Sequence, residues 1–273
     1  MNPKVKQIRS TRNRYVAAGN LWIRDPFLQN CVPLQDSHCF DPEEFDGLVK
    51  NQLSNEKTIP NNILDQNYKI STAVIIGEGV RSTELYKQCH DFPDGTSIVS
   101  IGSGFLNAAS STHINLVLPQ DHDRIDHAKK YYPSSLFSIY ANTKLVEKSQ
   151  GLKFHYVPTP QSNFGSGNGV KVLDDYRCPV NLALTLVLKL GAVSILLVGC
   201  DRGKTSQLPG MVEISKGTYS YPNQLQSHKT LDAQAYWANE NGRQIFDLSC
   251  GYNYNYIKTV GNIHEFLQTS IKK

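Results

Sequence analysis

The sequence predicts an α/β protein built on a doubly wound, mostly parallel sheet that follows an N-terminal extension. Three observations carry that expectation. From residue 72 onward, short apolar β-branched runs alternate with stretches of helical spacing. The run at 193–199 is apolar or glycine at every position except Ser194, as a strand covered on both faces requires. Several runs end on glycine and small polar residues, the composition of loops at the carboxyl ends of parallel strands. Such alternation folds through right-handed crossovers.

Residues 1–70 are rich in Asn, Gln, Asp and Pro and read as the extension. Their one clear helix start is at Asp41, which can cap, followed by Pro42 at the first helical position and by Glu43 and Glu44 at the positive end. That helix is expected to reach Leu53, and Pro60-Asn61-Asn62 to turn toward a second unit, 71–273. A strand at 73–76 ends at Gly77-Glu78-Gly79, with a helix at 82–88. A strand at 97–101 ends at Gly102-Ser103-Gly104, and another covers 114–118. Weaker strands at 137–140 and 154–157 flank a helix at 143–149. Pro179 opens a helix that is apolar nearly all round and therefore buried. Gly191 ends it, and the strand at 193–199 follows. A helix at 230–239, a strand at 244–248 and a terminal helix at 263–271 complete the chain.

The 273 residues are 40% hydrophobic and 19% charged, too apolar for disorder and long enough for a substantial core. The net charge of +4 comes from scattered Lys and Arg. It suits an anionic small molecule, whereas a nucleic-acid surface needs clustering. The one cluster, Lys4, Lys6, Arg9, Arg12 and Arg14, reads as a solvated arm. Six cysteines without a C-x-x-C pair imply reduced thiols rather than disulfides or a zinc site. No apolar run approaches the roughly 20 residues of a membrane span. The opening Met1-Asn2-Pro3-Lys4 lacks a signal-peptide core, so a cytoplasmic location is expected.

Six segments could carry chemistry. In Gly77-Glu78-Gly79-Val80-Arg81-Ser82, glycines would let backbone N–H groups approach a phosphate at a helix start, with Arg81 adding charge. The same residues also suit a plain tight turn. Gly102-Ser103-Gly104 with Asn107 offers a hydroxyl and an amide to a sugar or base edge, or makes a closely packed turn. Asp121-His122-Asp123 and Asp126-His127 either offer a divalent metal Asp123 and His127 on one helix face or form a solvated helix start with Asp121 placed to touch substrate; no full ligand set for a metal is specified. The glycine-rich loop at 164–169 is either a lid or a linker. Gly199-Cys200-Asp201-Arg202-Gly203-Lys204 ends the most apolar strand, where a carboxylate is costly unless paired, so Asp201 and Arg202 are site candidates. Finally, Gly217-Thr218-Tyr219-Ser220-Tyr221 precedes His228, with Asp232 four residues further on. A histidine titrating near neutrality can serve as general base, and tyrosines can support a leaving phosphate, whereas a lone histidine just ahead of the 230–239 helix can also be an ordinary cap or surface residue.

Two of these segments resemble a known group. Val74-Ile75-Ile76-Gly77-Glu78-Gly79 resembles the opening strand and loop of the MptE-like family (6-hydroxymethylpterin diphosphokinase-like) and of glycosyltransferase family 42, the bacterial sialyltransferases. The stretch from Cys178-Pro179-Val180-Asn181 to Gly199-Cys200-Asp201 resembles the helix, strand and Gly-x-Asp turn that both share. The resemblance covers about residues 72–265 and implies a Rossmann-like fold. The diphosphokinase branch implies ATP with magnesium and acidic residues after the second and third strands; here Gly102-Ser103-Gly104 has replaced the first acid and Asp121 keeps the second. The sialyltransferase branch implies a metal-independent glycosyltransferase using a nucleotide-sugar donor and a hydroxyl acceptor. Gly217-Thr218-Tyr219-Ser220-Tyr221 and Ser227-His228 resemble that family's tyrosine and histidine segment in order and spacing, which implies His228 as the base and Tyr219 and Tyr221 as the groups that steady the departing phosphate. Glu78 stands where that family has a neutral amide, which counts against a cytidine-monophosphate donor. A silent binding or structural protein that kept the fold is the third expectation. The enzyme readings place Gly77, Gly102, Asp201 and His228 around one cleft.

Overall fold

The computed structural model describes residues 42–77, 79, 92–101, 114–117, 134–158, 172–173, 178–200, 207–215, 218–248 and 252–271. Helix α1 (Pro42–Thr58) comes first, then a short 3-10 turn at Ile63–Asp65 in which Asn62 Oδ1 accepts from Leu64 N at 2.9 Å. The first strands are β1 (Thr72–Ile76), β2 (Thr96–Ile101), β3 (Ile114–Leu116) and β4 (Ser134–Ser138). Helix α2 (Thr143–Lys148), strands β5 (Leu152–Pro158) and β6 (Val172–Leu173), helix α3 (Pro179–Lys189) and strand β7 (Ser194–Val198) follow. The last part holds β8 (Val212–Ser215), β9 (Thr218–Ser220), α4 (Pro222–Glu240), β10 (Gln244–Asp247), β11 (Lys258–Thr259) and α5 (Ile263–Ile271).

Nine strands form one sheet in the order β11-β10-β7-β1-β2-β3-β4-β5-β6, and every described pairing within it is parallel. Strands β8 and β9 form a separate antiparallel hairpin. Alternation along the central strands explains why they are apolar at nearly every position. Ala73 and Ile75, with Ile195, Leu197 and Ile245, join the core that α3 and α4 cover through Leu184, Leu231 and Ala235. Val74 and Ile76, with Leu196, Val198 and Phe246, join the opposite core, closed by Ile263 and Phe266 of α5. Phe246 and Phe266 meet edge to face at 5.3 Å. Burying one such side chain is worth about 1.5–3 kcal/mol over leaving it exposed. Helix α3, buried without a break from Val180 to Leu188, can stop only where Gly191 turns the chain at φ +99°.

Several boundaries differ from expectation. Helix α1 runs to Thr58 rather than Leu53, because nothing before Pro60 breaks the helix. Strand β4 starts at Ser134, not 137. Its first two serines are buried yet carry no apolar signal, and Ile139 and Tyr140 belong to the turn that follows. Helix α4 starts at Pro222, eight residues before the expected position. Proline loses no hydrogen bond at a first helical position, and the polar run after it hid the helix from an apolar pattern. The short strands β6, β8, β9 and β11 were not anticipated. The expected helix at 82–88 and the Asp41 cap lie outside the described residues.

The described part of the first 70 residues contributes Ile59, Ile63 and Ile70 to the core. Asn55 Nδ2 donates to Ile139 O and Ala141 O at 2.9 and 2.7 Å, and the ring of His155 bonds Ile59 O at 2.7 Å. Among the described residues, Cys178 and Cys200 are unbridged and buried, and no helix is long and apolar enough to cross a membrane.

Candidate functional site

From β1 the chain steps outward through β2 to β6, then returns through α3 to lay β7 on the other side of β1. Open parallel sheets bind ligands at the carboxyl edge where the winding reverses, and here that point is between β1 and β7. The two strand ends are joined backbone to backbone. Gly77 N donates to Val198 O at 2.8 Å and Gly79 N to Gly199 O at 2.7 Å. A Cβ on Gly77 would overlap the Gly199 carbonyl. The glycine at 77 therefore has a packing reason of its own. Gly199 turns at φ +60°, and the Cys200 thiol lies buried 3.5 Å from Val198 O.

His228 lies toward this same edge. Helix α4 descends into β10, which runs parallel to its neighbours, so its first turns stand at the carboxyl side of the sheet. Two hydrogen bonds fix that arrangement. Asn181 Nδ2, near the start of α3, donates to Ser227 O at 3.3 Å, while at the opposite end Arg243 Nη1 donates to Leu188 O at 2.6 Å. The imidazole is 2% exposed. Its Nδ1 shares a hydrogen bond of 2.8 Å with the Tyr254 hydroxyl, and its face stacks on Tyr252 at 4.4 Å and 6°. The expectation of a histidine just ahead of a helix is thus corrected: His228 is a buried residue of the second turn.

Tyr252 and Tyr254 follow the carboxyl end of β10, and Asp232 holds the chain just beyond them. Its Oδ1 accepts from Asn255 N at 3.0 Å and Tyr256 N at 2.9 Å; its Oδ2 accepts from Asn255 Nδ2 at 2.8 Å. The Tyr252 phenol titrates above its usual range because it is desolvated and, secondarily, because it feels the Asp232 charge. Asp247 ends β10 at 2% exposure, on the face shared with Ile245 and its paired neighbour Leu197, the side that α4 covers.

Of the expected site residues, the structure brings Gly77 and Gly79 to the switch between β1 and β7 and sets His228 toward the same edge. Tyr219 sits half-buried on β9 opposite Glu213, and Tyr221 half-buried between β9 and α4. Glu78, Arg81, Ser82, Gly102, Ser103, Gly104, Asn107, Asp121, Asp201 and Arg202 lie outside the described residues, as do the acidic and histidine cluster at 121–127 and the loop at 164–169. Sequence reasoning passed over Tyr252, Tyr254 and Asp247. A signal was present, since tyrosines recur at 252, 254 and 256 directly after a strand. Among the described residues, no group of three His, Cys, Asp or Glu side chains is placed to hold a metal ion. No family model, curated protein or solved structure matches this chain.

Proposed function

We propose that the sheet is a Rossmann-like, doubly wound nucleotide-binding fold and that the chain is a nucleotide-dependent transferase, a metal-independent glycosyltransferase that uses a nucleotide-sugar donor. The supporting observation is the setting of His228: an imidazole toward the carboxyl edge of a parallel sheet, fixed at Nδ1 by a phenol and across its face by a second ring. In this reading Nδ1–H donates to Tyr254 Oη, which leaves Nε2 as the base. Nε2 takes the proton of an acceptor hydroxyl as that oxygen bonds to the sugar carbon. The sugar–phosphate bond breaks, and its electron pair leaves with the nucleotide phosphate. Tyr219 or Tyr221, with the 77–82 loop, would hold that phosphate, while Asp201, Ser103 and Asn107 would position the donor. The resemblance of Gly217-Thr218-Tyr219-Ser220-Tyr221 and Ser227-His228 to the sialyltransferases' tyrosine and histidine segment points the same way, whereas the 178–201 segment is common to both branches.

A second reading, a binding protein that keeps the fold without transfer, is favoured by two observations. His228 is 2% exposed, and packing alone accounts for Gly77.

Thermal-shift screening with CMP, UDP, GDP, ATP and their sugar derivatives separates these readings, because a ligand bound only to the folded state raises the melting temperature. Stabilisation by a sugar nucleotide, with sugar transfer lost in His228→Ala, is the expected result. Stabilisation by ATP with magnesium and release of AMP would select the diphosphokinase instead. Ligand binding with no transfer selects the second reading.

A further inference from the structure

The residues that close over His228 are tied down by a carboxylate on the same helix. Asp232 lies one turn beyond His228 on α4, is 8% exposed, and takes its described hydrogen bonds from Asn255 and Tyr256 alone. A carboxylate that far from water is costly unless donors surround it. Here the donors come from the segment that sets the Tyr254 hydroxyl on Nδ1 and the Tyr252 ring on the imidazole face. Asn255 and Tyr256 are largely exposed, yet the Asn255 amide reaches the carboxylate beside the two backbone N–H groups, so main chain and side chain together hold the segment. Just downstream, the chain has independent anchors. Ile257 is buried, Asn239 Nδ2 donates to Tyr256 O at 2.8 Å, and Tyr256 meets Tyr236 edge-on at 4.9 Å.

We propose that Asp232 is a positioning residue that latches residues 252–255 to α4, with 256–257 as the hinge. The latch sets both the orientation of the His228 imidazole and access to it. With it closed, Nδ1 is engaged by Tyr254 and a face of the ring is covered by Tyr252. With it open, 252–255 lifts while 256–257 stays docked, and His228 meets solvent or ligand. The inference stands apart from the transferase reading, and its test needs no substrate.

The test is carbethoxylation of neutral imidazoles by diethyl pyrocarbonate on the full chain, read at each histidine by peptide mass spectrometry. His264, exposed on α5, reports the reagent, and His155, buried on β5, reports general loosening. In the parent, His228 should react far more slowly than His264. Asp232→Ala should speed labelling of His228 about tenfold or more and leave His155 and His264 unchanged. Asp232→Asn keeps one acceptor oxygen and should fall between the two, with the side-chain nitrogen resonances of His228 shifting in the same order. If Asp232→Ala loosens the whole protein, His155 accelerates alongside His228. Asn255→Ala, which deletes only the Nδ2 bond, then carries the test, with selective acceleration at His228 expected. Parent labelling of His228 as fast as His264, or no selective acceleration in the variant that stays folded, overturns the latch.

Discussion

Gly77 and Gly199 meet main chain to main chain at the point where the sheet reverses its winding, with no room for a side chain on the first of them. A carbonyl in that position cannot swing aside as a side chain would. Gly77→Ala is therefore expected to cost about 1–3 kcal/mol, the range of overpacking in a closed core. Gly47 makes the opposite case: it lies inside α1 with nothing within 4 Å of a Cβ. Gly47→Ala should stabilise by roughly 0.5–1 kcal/mol. Urea denaturation midpoints at unchanged slope check both signs.

The parallel sheet could be read from the chain because its strands are apolar on both faces. Ala73 through Ile76 and Ile195 through Val198 stand out from their surroundings for that reason. Helix α4 was half hidden. Its second half buries Leu231, Ala235 and Ala238, whereas its first turns pack through polar groups such as the Ser227 carbonyl and the His228 ring, which no hydrophobic period reveals. The serines that open β4 were hidden in the same way.

Between α3 and α4 runs a buried polar link. Asn181 Nδ2 donates to Gln234 Oε1 at 2.9 Å, and Gln234 Nε2 donates to Thr185 Oγ1 at 2.9 Å. Gln234→Leu leaves buried groups on α3 short of partners, an expected loss of about 1–3 kcal/mol. Removing both ends at once in Asn181→Leu with Gln234→Leu should cost less than the sum of the single changes. A coupling of about 1 kcal/mol in the double-mutant cycle is expected. Strict additivity would mean that the two amides do not act together.

The clip between the N-terminal segment and β5 should weaken in acid. Burial holds the His155 pKa below 6.5, outweighing the opposing pull of the Ile59 carbonyl and of the Glu56 and Asp65 charges. Between the lowered folded value and 6.5, the unfolded chain binds a proton that the native chain does not, so stability falls as pH drops through that window. Above it the contribution is complete. His155→Asn keeps a donor for Ile59 O without the titration, and its stability should vary less with pH below 6.5. Urea unfolding of parent and variant across that range provides the comparison.

Less of the site than of the fold was legible. His228 could be named because histidine and tyrosine chemistry suggests it, but nothing in its neighbourhood announced that Tyr252 and Tyr254, about 25 residues away, complete its setting. Asp232 was visible only as an acid four residues beyond. A spacing of four on a helix suggests a partner for the histidine itself. The structure instead turns the described bonds of Asp232 to the backbone at 255 and 256 and to the Asn255 amide, a relation between distant segments that local spacing does not encode.

The Tyr252 hydroxyl offers a direct view of that relation. Its pKa is raised above 10.0 chiefly by desolvation, with the Asp232 charge as the lesser cause. Asp232→Asn removes the charge and weakens the hold on the chain at 255 and 256, so two outcomes are distinguishable by an alkaline titration of Cζ-labelled tyrosine. If the segment stays in place, the Tyr252 value falls only part of the way, since desolvation against His228 persists. If the segment lifts, the ring is rehydrated and the value falls to that of an ordinary tyrosine. Asp232→Ala, lacking any acceptor, should give the larger drop. A Tyr252 titration indifferent to both substitutions would show that neither the charge nor the fold of this segment depends on Asp232.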